Sequence, residues 1–132
     1  MAHSETVTRL REALSRWPEL QVAVLFGSLA HGQGHRDSDL DVAVQLSQPL
    51  SSDQKMALID HLAGVFGRPI DVIDLREVGQ PLLNEIVSKG VMVKGGAAEK
   101  GDLLFKSIMM QEDFGHYQQR ILEGRRNRWI ER

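Results

Sequence analysis

Two apolar stretches decide the fold, VLFGS at residues 24–28 and DLDVAV at residues 39–44. Side chains of a β-strand alternate between its two faces, so Asp39 and Asp41 are expected on the same face of one strand. Two carboxylates held this close repel one another unless a cation lies between them. The second stretch therefore predicts a metal site built on a strand.

The first stretch ends in residues that suit a phosphate group. Gly27 lets the backbone turn and approach a ligand, and the hydroxyl of Ser28 can hydrogen-bond to phosphate oxygens. The pattern of a Gly-Ser pair, ten residues and D-x-D resembles the signature of the polymerase-β-type nucleotidyltransferase superfamily. The short chain is similar to its minimal branch, the MNT proteins, over roughly residues 20–94. The resemblance implies that Gly27, Ser28 and Ser38 bind the nucleotide.

The same resemblance implies a third acid from a later strand. The segment PIDVIDL at residues 69–75 supplies it, and we assign the role to Asp71 with Asp74 as the alternative. Asp39, Asp41 and Asp71 are then the catalytic residues and the ligands of two Mg²⁺ ions, which stabilise charge on the entering and departing oxygens. The structural alternative for all three is a set of solvated strand acids.

The implied function is Mg²⁺-dependent transfer of AMP from ATP to a tyrosine of a HEPN-type ribonuclease toxin, which makes the chain an antitoxin. Two alternatives stay open, a nucleotidyltransferase acting on RNA or a small molecule and a non-catalytic antitoxin that acts by docking alone. One departure from the family pattern is the segment LAHG at residues 29–32, where many relatives have Ala-Arg-Gly. His31 carries a charge that depends on pH near neutrality, which predicts weaker or pH-dependent nucleotide affinity.

The amino-acid composition narrows the classes of partner that the protein is expected to bind. Sixteen Lys and Arg against 18 Asp and Glu give a net charge of -2, so broad binding to nucleic acid is not expected. The chain has no cysteine, which excludes disulfides and thiolate metal sites. No apolar run approaches the ~20 residues that cross a bilayer, and the N-terminus lacks a signal-peptide core. We therefore expect a cytoplasmic protein without membrane contact.

The order of the predicted elements indicates an α/β or α+β fold with helices packed on a sheet. The resemblance implies a small mixed sheet flanked by helices, the polymerase-β-like nucleotidyltransferase fold. The expected helices cover residues 4–16, about 52–66 and about 81–90, and the expected strands cover 22–26, 39–46, 70–75 and 91–93, the last at an edge. Ser4 is a candidate N-cap of the first helix, and Ser51 and Gln54 have the spacing of a capping box before the second. In the second helix, Met56, Ile59, Leu62 and Phe66 recur at helical intervals.

The resemblance predicts a minimal nucleotidyltransferase domain at residues 1–95 and a C-terminal helical tail at 96–132. Residues 95–98 are predicted to be a short linker. The tail combines apolar residues with a group of arginines, listed as Arg120, Arg125, Arg126, Arg128 and Arg132. It either packs on the domain or docks a partner, an acidic protein or RNA, and the sequence does not separate these interpretations.

Overall fold

The computed structural model describes residues 2–32, 34 and 38–112. Its elements in chain order are α1 (Ala2–Leu14), β1 (Val22–Phe26), a 3₁₀ helix (Ser28–His31), β2 (Leu40–Gln45), α2 (Ser52–Phe66), β3 (Ile70–Asp74), α3 (Leu82–Lys89) and β4 (Val91–Lys94). A further helix, α4, covers residues 97–112. The predicted mixed sheet with flanking helices is confirmed. None of the helices in the described ranges is long and apolar enough to cross a membrane.

The four strands form one sheet in the order β3-β2-β1-β4. β1 is antiparallel to both of its neighbours, and β2 and β3 are parallel, connected by α2. β4 lies at an edge, as predicted. Because β1 ends where β2 and β3 begin, residues from all three strands meet at one end of the sheet.

Apolar side chains cover both faces of the sheet. On one face, α1 and α2 bury leucines such as Leu10 and Leu62 against Val42 and Val72. On the other face, α3 and α4 bury side chains against β1 and β2, a cluster that comprises Val22, Val24, Phe26, Ala43, Leu75, Leu83, Ile86 and Leu103. The near-continuous burial of β1 and β2 explains why their sequences lack a polar alternation.

The helix α2 begins and ends as its sequence predicts, but one of its apolar residues faces solvent. Ser51 accepts a hydrogen bond from the Gln54 amide while the Gln54 side chain accepts one from the Ser51 amide, which confirms the capping box. Leu58 and Leu62 are the buried residues, and Met56 is 54% exposed. Met56 keeps the helical spacing of the apolar series yet lies outside the stripe that contacts the sheet.

The predicted start of the first helix is wrong, and the linker predicted at residues 95–98 is shorter than expected. α1 begins at Ala2, so Ser4 lies inside its first turn rather than at the N-cap. The expected linker at residues 95–98 is shortened because α4 already begins at residue 97. Glu99 explains this start, since its carboxylate accepts a hydrogen bond of 2.8 Å from the amide of Gly96 and so satisfies a donor at the beginning of the helix.

The helix α4 packs on the domain through several anchors. Leu103 and Ser107 are buried, and Lys106 donates a 2.6 Å hydrogen bond to the carbonyl of Leu75. The Gln80 side chain donates to the carbonyl of Ser107 at 2.8 Å. The division of the chain at residue 95 stays a prediction, and the arginine group of the tail lies outside the described residues.

Burial in α2 predicts the effect of shortening its side chains. We expect Leu62→Ala to lower the free energy of unfolding by about 2–5 kcal/mol, because it leaves a cavity beneath the sheet. Met56→Ala on the same helix is the matched control and should change it by less than about 0.5 kcal/mol. Urea unfolding measures both, and equal losses would contradict the assigned faces of α2.

Candidate active site

The acids predicted from two distant segments lie side by side at one end of the sheet. In the pairing of β2 with β3, Asp41 is directly opposite Asp71. Asp39 immediately precedes β2, and it lies close enough to Asp41 for its charge to act on the Asp41 carboxylate. Phe26, the last residue of β1, pairs with Asp41, which brings Gly27 to the same place. The structure therefore brings together the residues at the ends of three strands.

Asp41 has the most perturbed environment of these acids. It is half-buried, whereas Asp39 and Asp71 are exposed. The pKa of Asp41 is raised from 3.8 to about 6, mainly by burial and also by the negative charges of Asp71 and Asp39. A cation bound here would relieve both effects, because it stabilises the ionised carboxylate.

Gly27 is in contact with the Asp41 carboxylate. Its φ of 78° and ψ of -162° fall in a region that essentially only glycine occupies. A Cβ atom at this position would lie 2.2 Å from Oδ2 of Asp41, which is closer than any van der Waals contact. Glycine is therefore required both by the backbone conformation and by the carboxylate beside it.

The residues assigned to nucleotide binding line the same end of the sheet. Ser28 is exposed and begins the 3₁₀ helix directly after Gly27. His31 is exposed at the end of this helix. Ser38 is half-buried immediately before Asp39, and its carbonyl accepts a 3.0 Å hydrogen bond from Nη1 of Arg68.

The alternative third acid, Asp74, has a structural environment. One of its carboxylate oxygens accepts a 2.8 Å hydrogen bond from the amide of Leu50, and the other accepts one of 2.9 Å from the amide of Arg76. Asp74 thus holds the loop after β2 and the turn after β3. It is three residues from Asp71 and so projects from the opposite face of β3. The geometry places Asp71, and not Asp74, beside Asp41.

The acids suit a hard cation in donor type and in charge. Carboxylate oxygens are the ligands that Mg²⁺ prefers, and Asp41 is held among like charges. Among the described residues, however, no group of three His, Asp or Glu side chains lies in positions that could hold a metal ion without a change of rotamer. Two of the acids are exposed, so their side chains can change rotamer around a fixed backbone.

Comparison with known proteins assigns the family. Residues 8–97 match the family described as polymerase beta, nucleotidyltransferase, and the chain belongs to this family. The resemblance drawn from the sequence is thereby confirmed.

Individual relatives agree with this assignment. The chain is 32% identical over 108 residues to the protein adenylyltransferase MntA of Shewanella oneidensis. The aligned region covers 80% of this chain and 76% of MntA. A chain in a crystal structure of a toxin–antitoxin with AMP-PNP is 28% identical, with a TM-score of 0.79 and coverage of 89% of this chain and 96% of that one. A structure of tri-AMPylated Shewanella oneidensis HEPN toxin with MNT antitoxin shares the fold, with a TM-score of 0.69, 24% identity and coverage of 93% and 94%.

The contact between Gly27 and Asp41 predicts the effect of a single methyl group. We expect Gly27→Ala to lower nucleotidyl transfer by at least about 100-fold, because the new Cβ displaces the Asp41 carboxylate. Gly67→Ala is the control, since Gly67 also has a positive φ but nothing lies within 4 Å of its Cβ position. Gly67→Ala should destabilise the fold by about 1–2 kcal/mol with transfer kept within about twofold. Equal loss of transfer in both variants would mean that backbone strain alone is responsible.

The raised pKa of Asp41 predicts how stability depends on pH without divalent metal. Because the folded-state pKa of about 6 exceeds the ordinary value of 3.8, the folded chain binds this proton more tightly than the unfolded chain. This contribution to the free energy of unfolding is present below about pH 4 and is lost as the pH rises through about 6. Asp41→Asn lacks the titration and should gain stability relative to the wild type over that interval.

Urea unfolding from about pH 4 to about pH 8 tests this difference. Asp60→Asn, a change at an exposed position of α2, is the control and should run parallel to the wild type. A constant difference between wild type and Asp41→Asn across the whole interval would contradict the assigned pKa.

Proposed function

We propose that this nucleotidyltransferase is an antitoxin that transfers AMP from ATP to a tyrosine of a HEPN-type ribonuclease toxin and so neutralises it. The observation that carries the proposal is the pairing of Asp41 with Asp71 beside Gly27, which gathers acids and a close backbone turn at one end of the sheet. The similarity to a protein adenylyltransferase indicates a protein acceptor. The similarity to a toxin–antitoxin crystallised with AMP-PNP indicates the nucleotide and the kind of partner.

In the proposed reaction the tyrosine oxygen forms a bond to the α-phosphorus of ATP. The bond between the α-phosphorus and the oxygen bridging to the β-phosphorus breaks, and pyrophosphate leaves. Asp71 orients the tyrosine hydroxyl and accepts its proton, which its exposed carboxylate can reach from the edge strand β3. The products are the AMP-tyrosine ester, pyrophosphate and a proton.

The other site residues bind and orient the triphosphate. The Ser28 hydroxyl donates to phosphate oxygens, and the Gly27 backbone lets the phosphates approach without a side chain in the way. Ser38, in the segment that leads into Asp39, also contributes to nucleotide binding. Asp39, Asp41 and Asp71 would hold two Mg²⁺ ions, which supply stabilisation of the charge on the attacking and leaving oxygens.

A cytoplasmic location is part of this proposal, because ATP and the RNA that a ribonuclease toxin attacks are found there. The acid cluster favours catalysis over docking alone. Binding a partner does not require carboxylates held against their own repulsion, and Asp41 is so held.

Transfer of label from ATP labelled at the α-phosphate tests the function. The purified chain, Mg²⁺ and a co-expressed HEPN-type toxin should give label on the toxin band. Asp39→Asn, Asp41→Asn and Asp71→Asn should each lower labelling by at least about 1,000-fold. Asp74→Asn is the matched control on β3 and should keep labelling within about tenfold, because Asp74 binds backbone amides away from the site.

The destination of the label separates the alternatives. Label on RNA or on a small molecule would show that this molecule, and not the toxin, is the acceptor. Neutralisation of the toxin without any transfer, and unchanged in the Asp39→Asn variant, would establish the non-catalytic antitoxin instead. Loss of labelling in Asp74→Asn with full labelling in Asp71→Asn would exchange the roles of these two acids.

A further inference from the structure

Asp39 lies outside the strand that carries its partner acid. β2 begins at Leu40, so the sheet does not include the backbone of Asp39. Both of its chain neighbours are nevertheless held by one segment. The amide of Leu40 donates a 2.9 Å hydrogen bond to the carbonyl of Pro69, and the carbonyl of Ser38 accepts one of 3.0 Å from Arg68.

These two hydrogen bonds connect the two segments of chain that carry the predicted metal ligands Asp39 and Asp71. We call the pair of contacts, Arg68 to Ser38 and Leu40 to Pro69, the 38–69 clamp. Asp39 lies between the two clamped residues on its own segment, and Asp71 follows Pro69 by two residues on the other. The clamp therefore fixes the backbone that carries Asp39 relative to the backbone that carries Asp71.

Arg68 is the side chain on which the clamp depends. The Leu40–Pro69 bond continues the parallel ladder of β2 and β3 by one step, but Ser38 lies beyond that ladder. Arg68, a half-buried residue 30 positions away in the chain, donates a hydrogen bond to its carbonyl. A guanidinium has several N–H donors in a rigid plane, so it can hold a carbonyl in one orientation better than a flexible ammonium.

We propose that Arg68 is a positioning residue for nucleotidyl transfer, which acts by holding Ser38 so that Asp39 is in place beside Asp41 and Asp71. This inference rests on the proposed function. Metal-dependent transfer requires its ligands to be held within about 0.5 Å of the productive geometry, and an exposed acid outside a strand needs an additional restraint to achieve that. Arg68 supplies this restraint through the backbone and does not take part in the reaction itself.

The test compares Arg68→Met with a matched arginine. Arg9 also donates a hydrogen bond from its guanidinium to a backbone carbonyl, that of Val65, at 2.7 Å. Both arginines line the same surface cavity of about 230 Å³. Arg9→Met thus removes a similar charge and a similar hydrogen bond without touching Ser38, and Arg68→Lys keeps a donor for the case that Arg68→Met does not fold.

The first measurement is steady-state transfer of AMP. We expect Arg68→Met to lower kcat by about 10- to 100-fold while KM for ATP stays within about twofold, because misplaced groups slow the chemical step more than they weaken binding. Arg68→Lys should recover part of the loss, and Arg9→Met should resemble the wild type. A raised KM for ATP with unchanged kcat would overturn the proposal and make Arg68 a nucleotide ligand.

The second measurement is independent of activity. Amide hydrogen exchange of residues 38–41 should accelerate at least about tenfold in Arg68→Met and remain unchanged in Arg9→Met. Unchanged exchange in Arg68→Met, or faster exchange with normal kcat, would refute the positioning role. If the wild type transfers no AMP to any toxin, the proposed function fails by itself, and hydrogen exchange still decides whether Arg68 holds the segment of Asp39.

Discussion

Electrostatic repulsion among carboxylates at one end of the sheet is the constraint around which this molecule is built. Asp41 is half-buried opposite Asp71, and both burial and neighbouring charge disfavour its ionised form. The packed faces of the sheet oppose this repulsion. Leucines and valines from α1 and α2 on one side and from α3 and α4 on the other keep β2 and β3 paired in a single register. A one-residue slip would move the acids to the wrong face and the apolar residues with them.

Much of the architecture could be predicted because it depends on local sequence. The apolar runs predicted the four strands, and the spacing of Ser51 and Gln54 predicted the start of α2. The period of two also predicted that Asp39 and Asp41 lie close together, and the charge of Asp39 does act on Asp41, although Asp39 lies just before β2. The family relationship could be inferred from the same short segment, since the Gly-Ser pair and the two acids are close in sequence.

What could not be predicted depends on register and on long-range contacts. The sequence left Asp71 and Asp74 as alternatives, and only the pairing of β2 with β3 places Asp71 opposite Asp41. The contact of Arg68 with Ser38 joins residues that are 30 positions apart, and no local sequence pattern predicts it. The start of α4 was different, because Glu99 three residues after Gly96 was a visible capping signal that the glycine-rich composition of residues 95–98 outweighed.

One amide side chain joins the two helices that cover the acid-bearing face. The carbonyl oxygen of Gln80 accepts from the amide of Asn84 in the first turn of α3, while its nitrogen donates to the carbonyl and hydroxyl of Ser107 in α4. Separating α4 from the domain would therefore free the side chain that satisfies an amide of α3. The two helices are thus joined by one side chain in addition to the apolar cluster beneath them, and displacement of α4 would remove hydrogen-bond partners on which the start of α3 depends.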